Sequence, residues 1–225
     1  MNVLTPLLLT LQVAVCATVL ALLIGVGVGF WLSRTRVPGR ETADAVLMLP
    51  MVLPPTVLGY YLLVVLGRQG AFGGWLERTL GIHLIFTWQG AVIAATIVAF
   101  PLVFKAARAA FEAVDPNLTR AGHALGYDAW TTFMRITLPL AWRGIAAGGM
   151  LAFARAMGEF GATLMVAGNI PGQTQTMSIA IYEAVSAGDD GLAALLVVVV
   201  SLVCVSLLVA AGLLTRREFL RVAPP

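Results

Sequence analysis

Charged side chains are scarce in this sequence. Of its 225 residues only 11% are Asp, Glu, Lys or Arg, whereas 60% are hydrophobic and the mean hydropathy is +0.93. A water-soluble domain usually carries about 25% charged residues. The composition therefore excludes an ordinary soluble domain and indicates a membrane protein.

Patterns typical of enzymes and metal sites are also missing from the sequence. Its single lysine, Lys105, is followed by Ala106, so the chain has no phosphate-binding loop of the G-x-x-x-x-G-K-[ST] type. It has no HExxH, paired Cys/His or G-x-S-x-G pattern. Cys16 and Cys204 lie in apolar runs, where we expect buried and unreactive thiols. We expect no catalytic residue, metal site or cofactor in this chain itself.

Long uncharged runs predict the membrane spans. Residues 1–33, 45–67, 79–104 and 191–215 contain no Asp, Glu, Lys or Arg. Each run is long enough to cross a hydrocarbon core of roughly 30 Å, which needs about 20 residues. Residues 140–160 form a fifth apolar candidate that contains charged side chains. The sequence predicts an all-α integral membrane protein with five transmembrane helices, at about residues 7–32, 44–66, 87–110, 140–160 and 191–214.

The basic residues predict how these spans are oriented. Eleven of the 14 basic residues fall on one side of a five-span chain: Arg34, Arg36, Arg40, Lys105, Arg108, Arg120, Arg135, Arg143, Arg216, Arg217 and Arg221. The positive-inside rule assigns that side to the cytoplasm. The N-terminus is then outside, the C-terminus and a loop at 111–139 are inside, and a loop at 161–190 is outside, as is a short interfacial helix near residues 75–80. Without an internal repeat, we expect one domain over residues 1–225.

Two features of the spans suggest a pathway for a solute. Pro54 and Pro55 remove amide donors from span two and predict a kink or break, which is either an ordinary membrane kink or a break beside a pathway. Arg155 and Glu159 share one helix face inside a predicted span, where burying a charged side chain in the membrane costs free energy. They form either a structural ion pair or a site where Arg155 meets an anion.

The outer loop at 161–190 is too rich in Gly, Asn, Gln and Thr to face lipid. Irregular backbone at membrane depth survives only against protein or a water-filled cavity. We therefore expect this loop to re-enter the membrane layer. Hydroxyl and amide groups suit weak contacts with a passing ion. The candidate pathway residues in this loop are Thr163, Asn169, Gln173, Thr174 and Thr176.

The polar segment at residues 111–139 predicts two short helices joined at a corner. Asp115 with Pro116 is typical of a helix start, Gly126 of a helix end, and Asp128 of a second start. Pro139 marks the restart into span four. The apolar faces are Leu118, Ala121 and Leu125 on the first helix, and Trp130, Phe133, Met134 and Ile136 on the second. The pattern fits a docking surface for a partner, and helices lying on the membrane surface are the alternative.

These motifs resemble a known family. Gly126, nine residues and then Ile136–Pro139 ("ITLP") have the spacing of the cytoplasmic EAA loop of importer-type ABC permeases. Residues 49–63 ("LPMVLPPTVLGYYLL") and 153–176 ("FARAMGEFGATLMVAGNIPGQTQT") resemble molybdate permeases, and in part sulfate permeases. The resemblance runs over about residues 11–214. Arg120 stands where the family's loop usually has Glu, and Gly122 replaces an alanine, so no acidic contact is carried over.

The resemblance implies a type I ABC importer permease in a bacterial inner membrane that moves molybdate by alternating access, with tungstate as a further candidate substrate. A sulfate or thiosulfate importer is the nearest alternative, and a passive channel or membrane scaffold is an alternative of another class. The implied partners are a second copy of the chain, a cytoplasmic ATPase dimer that binds ATP and Mg, and a periplasmic or lipid-anchored binding protein, with no nucleic acid. The expected ATPase contacts are Ala121, Leu125, Gly126, Tyr127, Asp128 and Phe133.

Overall fold

The structure is a computed structural model that describes residues 3–35 and 39–221, without the side chains of residues 208 and 211–221. The described residues form helices and no strand. In chain order these helices are α1 Leu4–Arg34, α2 Arg40–Val52, α3 Pro55–Leu66, α4 Ala71–Leu80, α5 Trp88–Glu112, α6 Pro116–Ala124, α7 Ala129–Thr132, α8 Leu138–Met157, α9 Gly161–Ala167, α10 Met177–Ser186 and α11 Asp190–Arg221. A π-helical turn, Phe133–Thr137, joins α7 to α8.

The apolar spans follow from these helices. Four helical stretches are long and apolar enough to cross a membrane, namely Leu4–Arg34, Trp88–Glu112, Ala129–Met157 and Asp190–Leu207. The bent pair α2 and α3 makes a fifth if it is counted as one span. The prediction of an all-α membrane fold with five apolar spans is therefore confirmed. The predicted outer helix near residues 75–80 corresponds to α4, which starts at Ala71.

Small residues form the core of the bundle, where α5 packs against α1 and α8. The alanines at the contact between α1 and α5 have no exposed surface, and they are Ala14, Ala17, Ala21, Ala91, Ala95 and Ala99. In lipid, helices associate through close packing rather than through the hydrophobic effect, so small side chains at the interface are favoured. Between α5 and α8, a Cβ added at Gly148 would lie 2.5 Å from the Cβ of Ala106.

We expect Gly148→Ala to destabilise the bundle by about 1–3 kcal/mol, because the added methyl would force α8 away from α5. The matched control is Gly27→Ala on α1, where an added Cβ has no neighbour within 4 Å. The control should be neutral or stabilising, since alanine favours a helix over glycine by up to about 1 kcal/mol. The measurement is the thermal unfolding midpoint of each purified variant in detergent, and equal midpoints would contradict the packing argument.

The predicted break of span two lies between α2 and α3, whose axes differ by 105°. Leu53 and Pro54 both have extended backbone, with ψ values of 141° and 136°. Each of them precedes a proline, and a proline ring disfavours helical backbone in the residue before it. Pro55 then occupies the first turn of α3, where its missing amide donor costs nothing. Two successive prolines therefore explain both the end of α2 and the start of α3.

The predicted restart of the chain at Pro139 is wrong. The helix that starts at Ala129 continues through the π-helical turn into α8, so the second short helix and span four are one element. Leu138 donates its amide to the carbonyl of Phe133, five residues back. This widened turn precedes Pro139, which lacks an amide donor and would clash with the carbonyl four residues back in a regular helix. The π-helical turn therefore allows a proline inside a continuous helix.

Candidate functional site

The polar segment between α5 and α8 begins with a well-formed helix start. The Asp115 carboxylate accepts a hydrogen bond from the amide of Asn117 at 2.8 Å, and Pro116 follows as the first helical residue. A side-chain cap of this kind satisfies an amide that has no partner within the helix. The predicted start of α6 is therefore where the structure places it.

Gly126 forms the corner after α6. Its φ is +86°, which only glycine adopts without strain, and the amide of Tyr127 donates to the carbonyl of Gly122 at 3.1 Å. Asp128 then accepts from the amide of Thr131 at 3.3 Å and starts α7. The hydroxyl of Thr131 also donates to this carboxylate and lowers the pKa of Asp128 below its usual value. Asp128 is therefore ionised at neutral pH and holds the second corner of the segment.

One face of this segment is apolar and exposed. Leu125 and Trp130 have 76% and 65% of their surface exposed, and Leu118 and Ala121 are exposed beside them on α6. We call these four residues the coupling surface. The opposite face of α6 is buried at Gly122, where an added Cβ would lie 2.7 Å from Cδ1 of Ile136. Gly122 therefore lets α6 lie close to the helix that leads into α8.

Phe133 does not belong to this exposed face. Its ring lies 4.5 Å from the ring of Phe30 and 6.0 Å from that of Phe111, in an apolar cluster between α1 and α5. Phe133 is therefore partly buried, and its contact with a partner stays a prediction. The ring centroid of Phe133 also lies 6.1 Å from that of the exposed Trp130, three residues earlier on the same helix. Phe133 thus anchors the segment to the bundle.

The broken span packs directly against the residues after α8. A Cβ added at Gly161 would lie 2.7 Å from Cβ of Pro55, and one at Gly59 would lie 2.7 Å from Cβ of Met165. These contacts join α3 to α9 at backbone distance. The structure therefore brings Pro54 and Pro55 next to the start of α9, close in sequence to Glu159.

Glu159 is a buried carboxylate with two partners. Its Oε2 lies 2.9 Å from Nη1 of Arg155, and its Oε1 accepts a hydrogen bond from the amide of Ala162 at 2.9 Å. The Glu159 side chain is 2% exposed, whereas that of Arg155 is 37% exposed. Glu159 therefore fixes the first turn of α9, and the Arg155 side chain stays partly exposed. This geometry is compatible with both interpretations of the pair, a structural ion pair and a site where Arg155 meets an anion.

The loop between α9 and α10 uses several of its polar side chains on itself. Asn169 donates to Glu183 at 3.0 Å, and Gln175 donates to both Asn169 and Glu183. The Thr174 hydroxyl accepts the amide of Ile170 at 3.0 Å. Asn169 and Thr174, predicted to line a pathway, therefore hold the loop together. Gln175 and Glu183 were missed, because their partners are not at a regular helical spacing.

Two predicted pathway hydroxyls lack a hydrogen-bond partner in the described part of the chain. The Oγ1 atoms of Thr163 and Thr176 are buried and have no hydrogen-bond partner among the described residues. A buried polar atom without a partner is uncommon and calls for a functional or structural reason. Next to Thr176, the amide of Met177 donates to the hydroxyl of Thr10 at 2.8 Å, which ties the loop to α1. Gln173, by contrast, is exposed.

A second group of charged residues, which the sequence analysis missed, joins α2 to α5. Arg40 pairs with Glu112, and Asp44 pairs with both Lys105 and Arg108. The Nε of Arg108 also lies 2.9 Å from Oε1 of Glu112. We call these five residues the α2–α5 charge cluster. The sequence did contain a signal, because residues three or four apart share a helix face. The cluster residues are four apart on α2, and three and four apart on α5.

Comparison with known proteins gives closely similar relatives. The chain is 44% identical over 205 residues to the molybdenum transport system permease protein ModB of Escherichia coli (strain K12), covering 90% of each chain. It is 43% identical over 189 residues to the putative molybdenum transport system permease protein YvgM of Bacillus subtilis (strain 168), covering 84% of this chain and 83% of that one.

Solved structures share the fold at much lower sequence identity. The permease chain in an inward-facing MetNI methionine ABC transporter superposes with a TM-score of 0.75 at 17% identity, over 96% of this chain and 95% of that one. A chain of a bacterial alginate ABC transporter superposes with a TM-score of 0.76 at 15% identity, over 96% and 78%. Residues 21–219 match the family model of the inner membrane component of binding-protein-dependent transport systems. The chain therefore belongs to this family of inner membrane transport components.

Proposed function

We propose that the chain is the membrane-spanning permease subunit of an ATP-driven importer that carries molybdate inward by alternating access. The observation that carries the proposal is the 44% identity, over 90% of both chains, to a permease named for molybdenum transport. Tungstate is a further substrate of the same tetrahedral class. A sulfate or thiosulfate importer remains the second candidate, because part of the "GEFGAT…GNIPG" segment is shared with sulfate permeases.

ATP hydrolysis belongs to a separate subunit in this proposal. The chain lacks a phosphate-binding loop, so ATP and Mg would bind to a cytoplasmic ATPase dimer. The coupling surface offers that ATPase an apolar patch with Leu125 and Trp130 at its centre. Gly126, Tyr127 and Asp128 shape the corner between the two helices. Large exposed apolar side chains beside polar ones are typical of a protein interface.

The remaining partners and the orientation follow from the same proposal. The permease works as a homodimer, and a periplasmic or lipid-anchored binding protein delivers the anion. The N-terminus lies outside and the C-terminus inside, so that α6 faces the cytoplasm, and residues 1–225 form one transmembrane domain. Of the predicted basic residues on the inner side, Arg36 lies outside the described residues.

Arg155 is the best-supported contact for the anion along the route. Its side chain is held by a buried carboxylate and is partly exposed. The hydroxyls of Thr163, on α9, and of Thr176, at the start of α10, are buried without a partner among the described residues and add weak donors. Weak and separate contacts suit transport, because a permease must release the ion that it binds.

Reconstitution of the permease with its ATPase and binding protein in liposomes tests the proposal. We expect molybdate, delivered by the binding protein, to stimulate ATP hydrolysis and to accumulate inside ATP-loaded vesicles, while sulfate does neither. Stimulation by sulfate but not molybdate would assign the chain to the second candidate. ATP-independent flux of either anion would contradict an ATP-driven importer.

A further inference from the structure

The helix α2 is attached to the bundle mainly by charge. It has no buried residue in the single chain, and its apolar side chains, such as Val46, Leu49 and Val52, are exposed. Its packing partner within the bundle is α5, through the α2–α5 charge cluster. The Asp44 and Arg108 side chains are only 17% and 18% exposed, so this pair is more strongly coupled than a surface pair.

The charge cluster also sets the register of the two helices. Arg40 lies opposite Glu112, and four residues later Asp44 lies opposite Arg108, four residues earlier on α5. Four residues correspond to about 6 Å on each helix, so the two charge layers match when the helices run antiparallel. A shift of one turn would place Asp44 beside Glu112. Like charges at that distance repel, so the cluster allows one register only.

The α5 side of the cluster is directly connected to the polar segment between α5 and α8, which carries the coupling surface and which we call the coupling segment. Glu112 is the last residue of α5, and Asp115 caps α6 three residues later. Between them Val114 is 8% exposed and packs in the same apolar cluster as Phe133. A displacement of α6 therefore acts on the last turn of α5, where Arg108 and Glu112 lie.

The far end of α2 leads to the broken span. The helix ends at Val52, bends by 105° and continues as α3. The first two turns of α3 touch α9 at Pro55 and Gly59, beside the turn that Glu159 holds. The first turns of α2 thus contact the end of α5, and the last turn of α2 leads to the candidate pathway.

We propose that Asp44 and its partners in the α2–α5 charge cluster are positioning residues that make α2 move together with the end of α5. This inference rests on the proposed ATP-driven function. When the ATPase displaces the coupling segment, the cluster transmits the displacement through α2 to the bend at Pro54 and so to α3. Without the cluster, ATP hydrolysis continues while the broken span no longer follows it.

The first test compares transport with ATP hydrolysis in the reconstituted complex. The variants are Asp44→Asn and the milder Lys105→Gln, which leaves the contact between Asp44 and Arg108 in place. Coupling free energies of 1–3 kcal/mol correspond to factors of about 5 or more, so anion uptake per ATP hydrolysed should fall at least about fivefold in Asp44→Asn. Asp44→Glu, which keeps a carboxylate, should restore most of the ratio.

Glu41→Gln is the matched control, because it removes the same charge from the same helix at an exposed position that has no ion pair among the described residues. The control should keep the wild-type ratio of uptake to hydrolysis. An unchanged ratio in Asp44→Asn would overturn the inference. Failure of both Asp44→Asn and Lys105→Gln to assemble with the ATPase would also overturn it, since the cluster would then serve folding alone.

A distance measurement separates this inference from the proposed substrate. Spin labels at Thr42→Cys and Ala109→Cys, both exposed, report the separation of α2 and α5 once Cys16 and Cys204 are replaced by alanine. In complexes that carry one labelled and one unlabelled copy of the permease, we expect one narrow distance distribution, unchanged between the nucleotide-free and the ATP-trapped complex, and a broad one in Asp44→Asn. A distance that changes with nucleotide in the unsubstituted cluster would overturn the inference, whichever anion the wild-type complex carries.

Discussion

Leu125→Arg is expected to release the ATPase from the permease while the membrane bundle stays folded. Leu125 is 76% exposed at the centre of the coupling surface and contributes no buried contact to its own chain. The hot-spot residues of an interface contribute about 2–4 kcal/mol each, so loss of one weakens the dissociation constant about 30-fold to 1000-fold, and a buried arginine charge would add to that effect. The measurement is co-purification of the ATPase with the tagged permease, together with ATP-dependent uptake in liposomes.

The matched control for this prediction is Leu80→Arg. Leu80 is also a leucine at a helix end, 62% exposed, but it lies at the end of α4, outside the coupling surface. Its substitution should leave the ATPase bound and the unfolding midpoint of both variants close to wild type. Retention of the ATPase by Leu125→Arg would show that this surface faces lipid or water. Phe133→Arg cannot serve in this test, because it would place a charge among the buried aromatic rings.

Glu159→Ala is expected to cost about 3 kcal/mol of stability, because it leaves the Arg155 guanidinium without its partner and the amide of Ala162 without an acceptor. Glu159→Gln should cost less, since the amide oxygen still accepts the hydrogen bond from Ala162. The measurement is unfolding of the purified permease in detergent. Equal stability of wild type and Glu159→Ala would show that the pair does not hold α9.

The double variant Arg155→Gln with Glu159→Gln separates stability from transport. Removing both charges leaves no unpaired charge, so the double variant should be more stable than Glu159→Ala. It should nevertheless lose uptake if Arg155 meets the anion on its route. Full uptake by a stable double variant would instead assign the pair a purely structural role.

Local signals in the sequence predicted the ends of several helices correctly. Asp115 with Pro116, Gly126 and Asp128 act within four or five residues of themselves, through caps and a left-handed backbone. Pro54 and Pro55 likewise act on the residue before each of them. Such effects do not depend on the rest of the fold, so a single sequence reveals them.

The errors and omissions share a different cause. Phe133 packs against Phe30 of α1 and Phe111 of α5, and no pattern local to Phe133 shows which residues of other helices it meets. Asn169 and Thr174 were predicted to contact a solute, because the sequence does not show that their side chains bond to Glu183 and to the amide of Ile170. The α2–α5 charge cluster joins residues more than 60 positions apart. Interactions at that separation follow from the assembled bundle.

The family, the all-α fold and the apolar spans were predictable because they rest on composition and on long motifs. The residues that contact the ATPase and the anion remain predictions, and the structure narrows them. Leu125 lies on the exposed face, Phe133 is partly buried, Arg155 is partly exposed, and the buried hydroxyls of Thr163 and Thr176 have no partner among the described residues.

The π-helical turn at Phe133–Thr137 has a geometric consequence for the whole subunit. A turn of this kind amounts to one extra residue in an otherwise regular helix. Each residue of an α-helix rotates the chain by about 100°, so deleting one residue here would swing α7 and α6 by about that angle around the axis of α8. A single inserted residue thus sets the direction in which the coupling surface faces around the axis of α8. Relatives with or without that insertion would present the same motif in different directions.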